Sequence, residues 1–313
     1  MIPYIGGKNK MAKWIEPFIP QDIETYVEVF GGAFWIYCKS NVYKRHKLKN
    51  VIYNDFNKYM SNLFECCRSP EIFSDHMKNI EAQNETLFNK YQEEINIRTT
   101  FQIPDYDLGM KYAYLATQVF SGAKIMESKF MIFHHPRNEN KPKQNKFDTF
   151  RNRLNNPMYQ LKLKNITHVE NLDYSKVIEK YDSENTFFYV DPPYWKTENY
   201  YSSHEFDAKD HELLCKQLKE IKGKFALSYY EFDELFQWLP KKEYVWEQKL
   251  FTKLASAVSG SSQSKGKEVL VMNYPSKQLQ LFKEENDTRQ ISCCGIDITD
   301  QDIKMCPRCL EHQ

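Results

Sequence analysis

The chain has 313 residues, a formal net charge of +1 and 15% aromatic residues. This length allows about two domains and a large core, while so small a net charge says nothing about binding partners. No apolar run reaches about 18 residues and no basic-then-apolar leader is present, so we expect a cytoplasmic protein without a membrane span. In that compartment, eight cysteines favour thiols or metal ligands over disulfides.

Seven runs rich in β-branched and aromatic residues predict strands, and several alternate with helical patterns such as 207–221. This alternation predicts a largely parallel α/β sheet with helices on both faces. Ligands of such sheets bind at the carboxyl ends of the strands. The predicted strands are Thr25–Phe30, Asn50–Tyr53, Ile166–Glu170, Thr186–Val190, Lys224–Tyr229, Glu243–Phe251 and Lys267–Tyr274.

The first predicted strand leads into a glycine turn, Gly31-Gly32-Ala33, and then into the helix-like Phe34–Tyr37. This arrangement lets the backbone approach a ligand closely, although the dinucleotide pattern G-x-G-x-x-G is absent. The second strand ends at Asn54-Asp55. An acid about 20 to 25 positions after a glycine turn suits the two hydroxyls of a ribose. A plain strand-turn-helix is the alternative.

About 110 residues separate Asp55 from the third strand, far more than a normal crossover, so we expect an inserted module. It should be mostly helical over Lys58–Val119. Phe130–Phe133 resembles one arm of a hairpin, followed by a polar tip. Between positions 137 and 164 the chain has eight basic residues against two acids: Arg137, Lys141, Lys143, Lys146, Arg151, Arg153, Lys162 and Lys164.

Such a basic stretch can release phosphate counterions on DNA, and its alternative is a solvated mobile loop. In the DNA-binding interpretation, Arg137 and Asn138 reach base edges in the major groove. Lys141 and Lys143 then contact phosphates. The inserted module would therefore recognise the target sequence.

The apolar run Phe187–Val190 leads into the tetrad Asp191-Pro192-Pro193-Tyr194. The two prolines end the strand and leave a carboxylate, a free carbonyl and an aromatic ring in a stiff loop. Asp191 and the Pro192 carbonyl can each accept one hydrogen of a ring-bound amine, and Tyr194 can stack on the ring. A strand-ending turn without chemistry is the alternative.

Taken in order, these segments resemble the Dam-like DNA adenine methyltransferases, from about Tyr4 to Tyr274. The matching segments are Pro3–Lys8, Val27–Gly32, Asn54-Asp55, Asn171–Tyr174, Asp191–Tyr194 and Glu268–Tyr274. There are two departures: Phe120-Ser121-Gly122 stands where relatives often have Phe-Asn-Gly, and Val29 stands where many have proline.

The resemblance implies a Rossmann-like sheet, S-adenosylmethionine as methyl donor, double-stranded DNA as substrate, and direct transfer to a flipped-out adenine. It implies catalytic roles for Asp191, Pro192 and Tyr194. The cofactor-binding positions that it implies are Tyr4, Lys8, Phe30, Gly31, Asp55, Asp173 and Asp191. Two alternatives stay open: methylation of a cytosine amine or of RNA, and a DNA-binding module with a decayed pocket. A cognate restriction nuclease is conceivable but cannot be read from the sequence.

The predicted domains are a catalytic domain in two parts, 1–57 and 166–283, a target-recognition insert at 58–165, and a Cys-rich tail at 284–313. In the tail, Cys306 and Cys309 form a pair of zinc-ribbon type, whereas Cys293 and Cys294 are adjacent. A tail this short has no core of its own, so a zinc ion held by the four thiols could stabilise it, with His312 as a substitute ligand. A reduced, unstructured tail is the alternative.

Overall fold

The computed structural model describes residues 1–2, 7–98, 100–119, 125–131, 145–195, 206–252, 265–275, 290–291 and 297–298. The chain divides into two compact units, Met1–Asn273 and Tyr274–Gln313. None of the helices in the described ranges is long and apolar enough to cross a membrane.

A seven-stranded sheet forms the centre of the first unit. Its strands are β1 Thr25–Glu28, β2 Asn50–Asn54, β3 His168–Glu170, β4 Thr186–Val190, β5 Lys224–Tyr230, β6 Val245–Thr252 and β7 Lys265–Met272. Their order across the sheet is β3-β2-β1-β4-β5-β7-β6. The first five strands are parallel, and β7 runs antiparallel to both β5 and β6. The predicted mixed α/β fold and all seven predicted strands are confirmed, with ends that differ by one or two residues.

The central strand β4 is buried along its whole length, as expected for a strand covered by helices on both faces. The α-helices among the described residues of this unit are α1 Ala12–Ile15, α2 Trp35–Lys39, α3 Lys58–Cys67, α4 Pro70–Met77, α5 Glu85–Asn96, α6 Tyr106–Gln118, α7 Lys146–Leu154, α8 Pro157–Lys164, α9 Tyr174–Tyr181, α10 Ala208–Glu220 and α11 Asp233–Trp238. Side-chain caps fix several of their starts. For example, the Asp105 carboxylate accepts a hydrogen bond from the Leu108 N–H at 2.9 Å.

In the described parts of the segment between β2 and β3, the chain forms six α-helices, α3 to α8. The mostly helical character predicted for 58–119 is therefore confirmed. The predicted basic hairpin, 130–150, is described only at its ends. Phe130 and Met131 belong to no helix or strand, whereas 146–150 form the start of α7, so the hairpin prediction is wrong for that end. The proposed DNA contacts Arg137, Asn138, Lys141 and Lys143 lie outside the described residues.

The C-terminal part of the basic stretch differs from the predicted phosphate-binding segment. It forms α7 and α8, and three of its cations have structural partners. Buried Lys162 donates to the carbonyls of Cys38 and Ser40 at 2.9 and 2.7 Å. Arg151 donates to two carbonyls of the α4 C-terminal region, and Arg153 donates to the Met1 carbonyl at 2.5 Å. These three residues hold the helices in place, a structural role that the count of basic residues did not predict.

In the second unit, β8 Gln290–Ile291 pairs antiparallel with β9 Asp297–Ile298. The four predicted zinc ligands, Cys293, Cys294, Cys306 and Cys309, lie outside the described residues.

Candidate active site

The glycine turn after β1 brings its backbone against β2. The Gly31 N–H donates to the Asn54 carbonyl at 2.7 Å. A Cβ atom at position 31 would lie 2.4 Å from the Tyr53 ring and 2.8 Å from the Asn54 carbonyl oxygen. Only glycine fits this approach. Gly32 has a φ of 46°, which is also a glycine conformation.

Asp55 follows β2 and is tied to the same turn. Its Oδ2 accepts a hydrogen bond from the Gly32 N–H at 2.8 Å, and its Oδ1 accepts one from the Asn57 N–H at 2.8 Å. The side chain is buried, and burial raises the pKa of Asp55 to about 6, against the effect of the two N–H donors. The predicted neighbourhood of the glycine turn and this acid is present.

A cleft of about 170 Å³ opens at the carboxyl ends of β1 and β2. The Phe30 ring stacks on Tyr174 at 5.9 Å and meets the edge of Phe206 at 5.8 Å. The Asp173 carboxylate lies at the cleft and caps α9 through the Ser175 N–H at 2.9 Å. Aromatic walls with carboxylates at the rim suit a flat, polar-edged ring. The lining residues are Val29, Phe30, Asn54, Phe56, Leu172, Asp173, Tyr174, Phe206 and Asp210.

The tetrad follows β4, and its carboxylate is paired with a lysine from the start of the chain. Lys8 Nζ lies 2.8 Å from Asp191 Oδ1 and 3.5 Å from Glu268 Oε1. Burial raises the pKa of Asp191 to about 6; the Lys8 ammonium opposes this shift and the Glu268 carboxylate adds to it. Asp191 is therefore ionised at neutral pH and is an acceptor for an amine.

Tyr194 is largely buried in the same cluster. Its hydroxyl donates to Glu268, and Lys8 Nζ lies 4.6 Å from its ring centroid. The Tyr230 ring meets it edge-on at 4.4 Å. Pro192 is buried beside it. Stacking of Tyr194 on a base stays a prediction, because in this structure its ring packs against protein groups.

Glu268 enters the cluster through the direction of β7. The register places Glu268 opposite Tyr230 and Leu270 opposite Ser228. Because β7 is antiparallel, its first residues lie at the carboxyl end of β5, next to the tetrad. The Ser228 hydroxyl donates to Glu268 Oε1 at 2.6 Å.

The structure thus brings Lys8, Asp191 and Tyr194 into one cluster, and places Gly31 and Asp55 together at the neighbouring turn. Phe30 and Asp173 line the cleft. Tyr4 lies outside the described residues.

Sequence reasoning gave no role to Glu268, Ser228, Phe206 and Asp210. The available signal for Glu268 was an acid at the head of the otherwise apolar run 269–272. Within the described ranges, no group of three or more His, Cys, Asp or Glu could hold a metal ion.

Residues 4–255 match the family model described as D12 class N6 adenine-specific DNA methyltransferase. The chain belongs to this family. The resemblance noted from the sequence is confirmed, and the tetrad, the glycine turn and the insert all fall within the matched residues.

Several curated proteins are similar to this D12-class chain. Modification methylase StsI of Streptococcus sanguinis is 25% identical over 205 residues, which cover 64% of this chain and 29% of StsI. Type II methyltransferase M.CviBI of Paramecium bursaria Chlorella virus NC1A is 24% identical over 230 residues, covering 72% and 80%. Modification methylase LlaI of Lactococcus lactis subsp. lactis is 24% identical over 243 residues, covering 72% and 36%.

The matched parts thus span less than half of StsI and of LlaI but most of M.CviBI. Among solved structures, the rRNA methyltransferase AviRa of Streptomyces viridochromogenes aligns over 84% of this chain and 83% of its own, at 10% identity and a TM-score of 0.32. A match at that score is too weak to support a conclusion.

Proposed function

We propose that this chain transfers a methyl group from S-adenosylmethionine to the exocyclic amine of adenine in double-stranded DNA. The observation that carries the proposal is the position of the Asp191 side chain in an Asp-Pro-Pro-Tyr loop, 2.8 Å from Lys8. This loop follows β4, which pairs with β1, the strand that leads to the Gly31 turn. Family membership supports the same reaction.

The residues at the β1 and β2 ends fit S-adenosylmethionine. The glycine turn packs its backbone on β2 and holds the Asp55 carboxylate through the Gly32 N–H, and this carboxylate can accept hydrogen bonds from two ribose hydroxyls. The cleft walls Phe30 and Tyr174 would hold the flat adenine ring of the cofactor, with Asp173 at its polar edge. When bound, the cofactor supplies an electrophilic methyl group on a sulfonium.

The work of the protein is to position the amine. Its lone pair is delocalised into the adenine ring, which makes it a poor nucleophile. Accepting one hydrogen at Asp191 and one at the Pro192 carbonyl makes the nitrogen more tetrahedral and frees the lone pair. Because these acceptors lie in a largely buried cluster, the base must leave the duplex, at a cost of a few kcal/mol. Orientation and the field of the cluster supply most of the acceleration.

Removing the carboxylate tests the mechanism. Asp191→Ala should lower methyl transfer by about 10³-fold, because its acceptor and its charge are both lost. Duplex affinity should stay close to that of the parent, since phosphate contacts dominate it. Tritium transfer from labelled S-adenosylmethionine and a DNA-binding titration measure the two effects, with exposed Asp75→Ala as the control. Transfer that persists in Asp191→Ala would contradict the mechanism.

The same assay separates the alternative functions. Digested product DNA should contain N6-methyladenine. N4-methylcytosine, or transfer to RNA alone, would favour the rival substrates, and binding without transfer would favour a DNA-binding module. The resemblance favours adenine, since related enzymes acting on cytosine amines more often have serine at the position of Asp191. By analogy with relatives named as modification methylases, a role in a restriction-modification system, with a nuclease as partner, belongs to the proposal.

The DNA contacts are also part of the proposal. Arg137 and Asn138 would read base edges, and Lys141 and Lys143 would touch phosphates. Lys143→Ala should reduce the slope of log affinity against log salt by about one unit. Lys162→Ala should leave that slope unchanged while lowering the melting temperature, because Lys162 is buried against Cys38 and Ser40. If the parent, Lys143→Ala and Lys162→Ala all had the same slope, the phosphate contacts would have to lie in another part of the chain.

A structural zinc held by Cys293, Cys294, Cys306 and Cys309 is a separate proposal, supported by the thiol spacing alone.

A further inference from the structure

Three donors converge on one oxygen of Glu268. Its Oε1 accepts the hydroxyl of Tyr194 and the hydroxyl of Ser228, the latter at 2.6 Å, and it lies 3.5 Å from the Lys8 ammonium. The side chain is only 3% exposed, whereas that of Asp191 is 16% exposed. Glu268 is therefore more deeply buried than Asp191.

Lys8 lies between the carboxylates of Asp191 and Glu268. It is closer to Asp191, the carboxylate that must accept the target amine. Its 2.8 Å contact with Asp191 Oδ1 takes up one of the two carboxylate oxygens that could accept the target amine. A cation on a carboxylate also withdraws charge from its other oxygen. An ammonium has three N–H donors on a flexible stem, so it can shift toward a second carboxylate within reach.

We propose that Glu268 is a positioning residue for methyl transfer: it anchors Tyr194 through its hydroxyl and takes over the Lys8 ammonium when the target amine donates to Asp191. This rests on the proposed function, because Asp191 must accept the amine. With Lys8 held by Glu268, Asp191 no longer shares its charge with the ammonium, and that charge is directed at the amine and the Tyr194 side chain. The cluster of two carboxylates and one ammonium keeps a formal charge of −1. This charge suits the positive charge that the nitrogen gains as its bond to the methyl group forms and the methyl–sulfur bond breaks. The thioether would then leave uncharged, and the nitrogen would release one proton to water.

Glu268→Gln tests this, since glutamine keeps an oxygen for Tyr194 and Ser228 but removes the charge. Lys8 then stays on Asp191. We expect kcat for methyl transfer to fall by at least about tenfold, with KM for S-adenosylmethionine changed by less than about twofold. The matched control is Glu231→Gln. It removes a carboxylate outside the cluster that pairs at 2.7 Å with Lys267, the residue before Glu268.

The pH profile separates positioning from a merely structural role. Loss of the Glu268 charge lowers the pKa of Asp191, so the acid limb of kcat should move to lower pH in Glu268→Gln and stay in place in Glu231→Gln. A residue that only stabilised the fold would lower the melting temperature without moving that limb. The groups that face Asp191 from the packed elements are Lys8, Glu28, Tyr189, Tyr194, Tyr230 and Glu268.

Ser228→Ala provides a second measurement if Glu268→Gln does not fold. It removes one donor to Oε1 without changing the charge, so kcat should fall about threefold with the acid limb unchanged. The proposal is overturned if the parent methylates DNA while Glu268→Gln, or Ser228→Ala in its place, keeps kcat within twofold. It is also overturned if kcat falls in Glu268→Gln but the acid limb does not move. A parent that transfers no methyl group would instead refute the proposed function.

Discussion

The half of the site built on β1 and β2 holds its buried acidic side chains with neutral donors, whereas the half built on β4, β5 and β7 adds a shared cation to its neutral donors. Glu28 accepts hydrogen bonds from the Tyr26 hydroxyl and the Tyr37 N–H at 2.7 and 2.8 Å. Asp55 accepts two backbone N–H bonds. Asp191 and Glu268 instead share Lys8.

The difference matches what each half has to do. Neutral donors fix a carboxylate in one place, which suits the binding of a cofactor that returns in every cycle. A shared ammonium can be redistributed, which suits a pocket that must exchange a lysine for a base. The two halves should therefore respond differently to pH and to the loss of a single charge.

The largest expected effect concerns Glu28, whose pKa burial raises from 4.5 to about 8. Between pH 4.5 and about 8, the Glu28 carboxyl keeps its proton in the folded state, whereas the unfolded chain has already lost it. The stability that Glu28 contributes is therefore complete below pH 4.5 and is lost as the pH rises to about 8. Glu28→Gln keeps an acceptor for Tyr26 and Tyr37 but does not titrate.

We expect the parent to lose up to about 1.4 kcal/mol of unfolding free energy per pH unit relative to Glu28→Gln in this window. Urea unfolding at pH 5, 6, 7 and 8 measures the difference, with exposed Glu179→Gln as the control. Parallel pH dependences in the parent and Glu28→Gln would show that Glu28 is ionised in the folded protein.

The second prediction concerns the ligand of the same half. Asp55→Ala should weaken S-adenosylmethionine binding by about tenfold or more, because two ribose hydrogen bonds of about 0.5–1.5 kcal/mol each are lost. Calorimetry gives the affinity, and Asp22→Ala, an exposed carboxylate paired with Lys224, is the control. Affinity equal to that of the parent would remove Asp55 from the cofactor site.

Much of the fold and of the first half could be predicted from local sequence. The Gly31 turn and Asp55 follow directly from two strands, and their contacts join neighbouring parallel strands. All seven strands could be predicted, because apolar and β-branched runs stand between clear turns. Local sequence pattern is enough to predict a contact whose position is set by the end of a strand.

Local pattern was not enough for the second half. Glu268 and Ser228 meet only because β7 inserts antiparallel between β5 and β6, and no residue pattern within β7 specifies that register. Lys162 shows the same limit in another way. Its charge counted toward a DNA-binding stretch, but burial against Cys38 and Ser40 makes it a structural residue.

The last prediction tests whether the ammonium distinguishes the two halves. Lys8→Met keeps an apolar stem and removes the cation that opposes the raised pKa of Asp191. The acid limb of methyl transfer should move up by about one pH unit, because an ionised Asp191 becomes harder to form. Stopped-time tritium transfer between pH 5 and 8 measures the limb, with exposed Lys10→Met as the control. The acid limb should move in the opposite direction in Glu268→Gln, since Lys8→Met removes a positive neighbour of Asp191 and Glu268→Gln removes a negative one. If the limb moved in the same direction in both variants, Asp191 would not be the group whose ionisation sets the limb, and another carboxylate of the cluster would have to be that group.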